Sequence, residues 1–310
     1  MDAAGMSSLR VRPPQLPGIE LESVIGRGGM SVVWKGFDSG LGRPVAVKVL
    51  QRDFSCDERD LARFRKEAET MTRIRHPGIV RGYGMYRSRD GLYYVVMELV
   101  SGYDLGQLVS RKTRLPESDA LIVAESVAVA MEYAWNGYRM VHCDIKPENI
   151  MVDSDGTVKL TDLGLCRTFS ALSSGAGGED EIVGTPAYIS PEQIEGRTDL
   201  DCRADIYSLG ATLYHLVSGR TLFVKEDNDG MLRAHLDPES CAPDPRHWAH
   251  SISQGFATLL ENMLVKDRDC RIGGWGETLA AVRAIIDGRA ECEDALSRPV
   301  SPSSVRNDWV

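Results

Sequence analysis

Val141-His142-Cys143-Asp144-Ile145-Lys146-Pro147-Glu148-Asn149-Ile150-Met151, followed thirteen residues after Asn149 by Asp162-Leu163-Gly164, is the stretch on which the reading of this chain turns. Two aspartates, a lysine and an asparagine stand within some twenty residues, beside apolar runs that read as short strands. Phosphoryl transfer from ATP uses this inventory. It needs a carboxylate to orient and receive a hydroxyl proton, a cation on the transferring phosphate, and hard oxygen ligands for Mg²⁺. A polar loop between two hairpin strands is the alternative. It loses force only as further motifs fall into order around this one.

Upstream, Val45-Ala46-Val47-Lys48 puts a lysine mid-strand between apolar neighbours, where an ammonium is costly without a partner. Glu67, in Phe64-Arg65-Lys66-Glu67-Ala68, offers one, although it also reads as one solvated charge among several. Its segment, 57–72, lacks Gly and Pro and carries Leu61, Phe64, Ala68 and Met71 on one helical stripe. Farther upstream lies Gly26-Arg27-Gly28-Gly29-Met30-Ser31-Val32-Val33. Its glycines would let backbone N–H groups approach phosphate oxygens, and a plain hairpin turn would use them equally well.

In this order the motifs resemble those of the protein kinase superfamily, most of all the bacterial eukaryotic-like Ser/Thr kinases, from about residue 19 to 286. The resemblance implies an α+β, bilobal kinase fold: a small antiparallel β-sheet lobe with one helix (19–100) and a larger, mainly helical lobe (101–287). It implies an ATP- and Mg²⁺-dependent enzyme, with Mn²⁺ as a possible substitute, acting on Ser and Thr of protein substrates. Asp144 would be the catalytic base, and Lys146 would stabilise the γ-phosphate. Lys48, paired with Glu67, would hold the α- and β-phosphates. Asn149 and Asp162 would bind the metal. Ile25, Gly26, Arg27, Gly28, Gly29, Met30, Ser31 and Val33 would cover ATP. Ala46, Met97, Glu98, Val100 and Met151 would meet adenine, with Met97 as gatekeeper and Asp104 reaching the ribose. In Gly184-Thr185-Pro186-Ala187-Tyr188-Ile189-Ser190-Pro191-Glu192, Thr185 would contact the catalytic loop and Glu192 would pair with Arg271. Asp205 would anchor the catalytic loop, and His142 and Leu163 would be packing residues.

Lys146, two positions past the base, and Gly184-Thr185-Pro186 take the Ser/Thr form rather than the tyrosine-kinase form. Ser31, Leu163 and Ser190 replace family Gly, Phe and Ala conservatively. Cys143 replaces the arginine of H-R-D, which puts regulation by phosphate on the activation loop in doubt, even though Thr168, Ser170, Ser173 and Ser174 lie there with Arg167. A pseudokinase scaffold or nucleotide sensor is the alternative function. Loss of Lys48, Asp144, Asn149 or Asp162 would favour it, and all four are present. A small-molecule kinase is disfavoured by the Gly184–Glu192 segment, which resembles a peptide platform.

The remaining composition fits this reading. The chain of 310 residues is 43% hydrophobic and 26% charged, with net charge −9 and pI about 5.3, an acidic balance that argues against nucleic-acid binding. Seven cysteines, an odd number with no C-x-x-C, fit reduced thiols in a cytoplasm rather than disulfides or zinc. No signal peptide or membrane-length apolar run is read, and the oligomeric state is left open. Strand-like runs fall at 23–25, 31–37, 44–50 and 92–99. Helices are expected at about 116–137, 204–217, 253–264 and 276–286. Residues 1–18 read as a flexible leader, 162–192 and 219–251 as long irregular stretches, and 288–310 as a polar, disordered tail.

Overall fold

The computed structural model describes residues 13–51, 58–111, 114–163, 186–225 and 227–290. The chain forms two compact units: one of the residues up to Glu69 with Gly82–Leu99, the other of Thr70–Arg81 with the chain from Val100 on.

The first unit is a five-stranded antiparallel sheet in the order β1-β2-β3-β5-β4, made of β1 (Ile19–Arg27), β2 (Ser31–Asp38), β3 (Arg43–Leu50), β4 (Gly82–Arg87) and β5 (Tyr93–Glu98). Alternation along the strands separates two faces. Val32 and Trp34 of β2, Val45, Val47 and Val49 of β3, and Tyr94 and Val96 of β5 form a core on one of them. Leu50 and Val95 pack on the other against Phe64 and Ala68 of helix α1 (Glu58–Arg73). Burying a side chain of this size stabilises by about 1.5–3 kcal/mol, so the stripe that sequence shows is what docks the helix. Acidic Glu58 and Asp60 in its first turn and Arg73 in its last suit the helix dipole. At Gly36 an added Cβ would sit 2.6 Å from the Glu20 carbonyl oxygen, so β1 and β2 close only over a glycine there.

Besides β1, which runs over Ile19–Arg27 rather than 23–25, two features of this unit depart from the sequence reading. Leu16, placed in the leader, is 6% exposed, belongs to the first core and bridges Ile19. Strand β4, Gly-Tyr-Gly-Met-Tyr-Arg, is absent from the expected strands because its glycines read as turn signals. Its pairing to β5 carries an irregularity between Gly82 and Gly84.

The second unit begins with a three-stranded sheet, β6 (Tyr103–Asp104), β7 (Ile150–Val152) and β8 (Val158–Leu160), in that order. Its helices are α2 (Leu105–Ser110), α3 (Glu117–Tyr138), α4 (Pro191–Ile194), α5 (Cys202–Ser218), α6 (Asn228–Leu236), α7 (Gln254–Met263) and α8 (Trp275–Ala290). Helix α5 is buried on nearly every side, as an apolar helix at the centre of a unit should be. Asp201 caps its start by accepting from the Arg203 N–H, and Gly219, at φ 69°, ends it.

The stretch 219–251 is not wholly irregular. Helix α6 lies in it, started by Asp227, whose carboxylate accepts from the Gly230 N–H. Asn-Asp-Gly reads as a turn in isolation, but burial of Leu232, Ala234 and His235 overrides that local preference. Helix α8 runs to Ala290, beyond the expected residue 286. Among the described residues no helix is long and apolar enough to cross a membrane.

Candidate active site

In the first unit the face of the sheet opposite its valine-rich core carries the expected nucleotide contacts. Val33 pairs with Lys48 across β2 and β3, and Ala46 pairs with Met97 across β3 and β5. On the same face Leu50 and Val95 pack against Phe64 and Ala68 of α1. Glu67 lies between Phe64 and Ala68 in sequence, and its Oε1 accepts from Lys48 Nζ at 2.6 Å. Both side chains are mostly buried, 12% and 17% exposed, so the ammonium mid-strand has the carboxylate its position demands. The Gly26–Ser31 turn is closed by the Gly28 N–H on the Ser31 carbonyl at 2.9 Å. Arg27, Gly28 and Gly29 are exposed there, Ile25 is 50% exposed, Met30 is half-buried and Ser31 is buried. Met97 is buried and Glu98 half-buried.

In the second unit the decisive segment forms a loop between α3 and β7, with one turn of 3-10 helix at Pro147–Asn149. The carboxylate of Asp144 is its focus. Lys146 Nζ donates to both of its oxygens, at 3.1 and 2.9 Å, and Asn149 Nδ2 donates to Oδ2 at 2.9 Å and to the Asp144 carbonyl at 2.8 Å. Asn149 thereby keeps its amide oxygen for another partner. The Asp144 side chain remains 44% exposed, open to a proton donor.

The loop is held from beneath. Asp205, fully buried in α5, accepts from the backbone N–H groups of His142 and Cys143, both at 2.7 Å. Cys143 sits at φ 64°, a left-handed conformation that costs a non-glycine residue about 1–2 kcal/mol. Burial raises the pKa of Asp205 to about 7, while the two N–H donors favour its ionised form. His142 is a core residue. Its Nδ1 accepts from the Asp144 N–H at 3.3 Å, which leaves Nε2 to donate to the Thr161 carbonyl at 3.2 Å, and burial lowers its pKa.

Sequence reading missed two further supports. Gln193 Nε2 donates to the Cys143 carbonyl at 2.8 Å, and the Thr212 hydroxyl donates to the Ile145 carbonyl at 3.3 Å. Gln193 did carry a signal: Ser190-Pro-Glu-Gln is a capping box, and Gln193 Oε1 accepts from the Ser190 N–H at 3.2 Å. Thr212 has none. Glu192 and Arg271 meet as expected, with contacts of 2.7 and 3.1 Å between side chains 4% and 0% exposed.

Met151 pairs with Asp104 across β6 and β7, and Val100 is 8% exposed. The Asp104 carboxylate already caps α2, accepting from the Gln107 N–H at 2.9 Å and Gln107 Nε2 at 2.8 Å. Asp162 stands at φ 50°, next to Leu163, which is 1% exposed. Asn149 and Asp162 offer an amide oxygen and a carboxylate, hard donors that suit a Mg²⁺ completing its shell with water and phosphate. No larger cage competes: no cluster of three or more His, Cys, Asp or Glu fit for a metal occurs among the described residues. Gly164, Arg167, Thr168, Ser170, Ser173, Ser174 and Thr185 lie outside the described residues.

Residues 19–282 match the family model described as the protein kinase domain. The chain is 36% identical over 287 residues to serine/threonine-protein kinase PknA of Mycobacterium tuberculosis, covering 91% of this chain and 63% of that protein. It is 34% identical over 244 residues to serine/threonine-protein kinase PrkC of Bacillus subtilis, covering 79% of this chain and 37% of that one. A probable serine/threonine-protein kinase of Streptomyces coelicolor matches at 35% identity, with 87% of this chain against 40% of its length. The chain thus spans between about a third and two thirds of these curated relatives. The crystal structure of the M. tuberculosis PknI kinase domain superposes with a TM-score of 0.68 at 24% identity, over 87% of this chain and 97% of that one, a likeness of fold.

Proposed function

The chain belongs to the protein kinase family, and from that membership we propose that it transfers the γ-phosphoryl group of ATP to serine and threonine hydroxyls of proteins. Use of ATP and a divalent metal comes with the family; Mg²⁺, with Mn²⁺ as substitute, is the choice the oxygen donors favour. The observation that carries the reading is the convergence of Lys146 and Asn149 on the half-exposed Asp144 carboxylate, on a loop fixed by Asp205.

In this reading Asp144 accepts a hydrogen bond from the acceptor hydroxyl, aims its oxygen at phosphorus and takes the proton as the new bond forms. Lys146, already on Asp144, sits where a cation offsets charge on the transferring oxygens. Lys48, held extended by Glu67, binds the α- and β-phosphates. Val33, Ala46 and Met97 supply an apolar face for adenine. When bound, the metal neutralises phosphate charge, and Asn149 and Asp162 would hold it. The pseudokinase alternative needs the loss of one of these groups, and each is present. Protein substrates follow from the family; an acidic chain gives no reason to expect nucleic-acid partners.

The test is Mg²⁺-dependent incorporation of labelled phosphate from ATP into the chain and into a basic protein, followed by phosphoamino-acid analysis. Phosphoserine and phosphothreonine are expected, with Asp144→Asn inactive. Predominant phosphotyrosine, or no transfer with either metal, would overturn the reading.

A further inference from the structure

Within the second unit, helices α5 and α7 and the proline-rich segment 238–246 line an open cavity of about 390 Å³. None of the residues assigned to phosphoryl transfer lines it. Its walls are apolar and aromatic: Tyr207, Tyr214, Phe223, Ala257 and Leu260 contribute. A volume of this size with such a lining is the usual form of a small-molecule site.

Of the two cations on the lining, Arg246 is paired with Asp244, and Lys266 is the one that sets the chemistry. Lys266 reaches the cavity wall with its ammonium 5.1 Å from the centre of the Phe223 ring. Two of its three N–H donors go to the backbone carbonyls of Ala234, at 2.6 Å, and Asp237. Among the described residues no carboxylate forms an ion pair with it. The nearby Asp237 carboxylate is engaged by the Ser240 hydroxyl at 2.6 Å and the Glu239 N–H at 3.1 Å. Burial lowers the pKa of Lys266, the expected response of an ammonium withdrawn from water without a full counter-charge. The other charges on the lining are less available to a ligand. Asp244 is taken by Arg246, with Nε at 3.0 Å, and Glu261 is exposed to solvent.

We propose that this cavity is a second ligand site, apart from the phosphoryl-transfer machinery, for a small amphiphile with an apolar body and an anionic head that pairs with Lys266. The body fills the space between Tyr214, Phe223 and Leu260, and the head takes the remaining lysine donor. The site touches the catalytic support at one point. Tyr207 forms part of its wall, lies two residues along α5 from Asp205, and carries the Arg271 guanidinium 5.0 Å from its ring centre.

The test uses the full chain and two fluorescent probes that share an aromatic body. One is anionic, 8-anilino-1-naphthalenesulfonate; the other is neutral, N-phenyl-1-naphthylamine. The anionic probe is expected to bind one per chain and at least tenfold tighter than the neutral one. Lys266→Met should abolish that preference while leaving the neutral probe's affinity within threefold. Ala257→Trp, which fills the cavity, should remove both. Cys241 lies on the lining and is exposed, which supplies a readout that needs no folded variant. Its alkylation by iodoacetamide, followed peptide by peptide in the wild type, should slow at least tenfold with saturating anionic probe. Unchanged alkylation of Cys241, equal affinity for the two probes, or binding that survives Ala257→Trp would each overturn the proposal.

Discussion

Arg271→Met should cost about 5 kcal/mol of folding stability. The guanidinium has five N–H donors, and each finds an acceptor. Nε donates to the Val265 carbonyl at 2.7 Å; Nη1 donates to Glu192 Oε1 at 2.7 Å and the Arg203 carbonyl at 2.6 Å; Nη2 donates to Glu192 Oε2 at 3.1 Å and the Lys266 carbonyl at 3.0 Å. Methionine fills much of the volume but leaves Glu192, 3% exposed, as a buried carboxylate without a cation. Breaking one side of such a pair costs about 3–5 kcal/mol, and the three orphaned carbonyls add about 1 kcal/mol or more between them. Against a total of about 5–15 kcal/mol, that is a large share of what holds a domain folded. Urea unfolding followed by far-ultraviolet circular dichroism measures it. Most of the loss should arise from the stranded Glu192, so Glu192→Gln with Arg271→Met should be less damaging than the sum of the single changes by at least about 1.5 kcal/mol. Arg271→Lys, with three donors and no planar fork, should recover less than half. A loss below about 1 kcal/mol for Arg271→Met, or additivity within about 0.5 kcal/mol, would refute the reasoning.

Lys48→Met should keep the fold and lower turnover by more than tenfold, a barrier increase above about 1.4 kcal/mol, in a steady-state phosphorylation assay; retention of more than about a tenth of the rate would unseat the lysine from its proposed role. His235, fully buried and with its pKa lowered to about 4, favours folding less as pH falls below its unfolded value of about 6.5, losing about 2 kcal/mol between pH 7 and pH 5. Asp205, raised to about 7, works in the opposite sense over that window, because the folded state takes up its proton first. The measurement is therefore the change with pH of the stability difference between wild type and His235→Gln. The variant should gain about 2 kcal/mol on the wild type from pH 7 to pH 5, and no relative gain would contradict the assignment. Cys143→Gly should stabilise by about 0.5–1 kcal/mol, since relief at φ 64° outweighs the added freedom of the unfolded chain; a loss above about 1 kcal/mol would mean the thiol contributes contacts that matter more than strain.

What sequence reveals here depends on how far a residue's role is set by its neighbours along the chain. The Lys48–Glu67 pair was half legible: a lysine interrupting an apolar strand demands a partner, whereas Glu67 also read as one solvated charge among several until the fold brought the two together. Strand β4 and helix α6 were not, because glycines and an Asn-Asp-Gly start speak for turns until a tertiary partner buries the apolar positions. For Asp104 the sequence offered only an expected ribose contact, and its task of capping α2 depends on where that helix begins. The catalytic loop is the limiting case. Its residues can be read one by one, yet nothing in His-Cys-Asp announces a left-handed backbone at cysteine, a residue with little taste for it. That conformation is held by Asp205 from 62 residues away and by Gln193 from 50 away, which bind the N–H and the C=O of Cys143. The residues proposed for the chemistry therefore sit in a short motif, while the contacts that hold their loop come from a helix and a capping box farther along the chain. A substitution at Thr212, which no motif marks, or at Gln193, marked only by its capping box, should disturb the loop as directly as one within it.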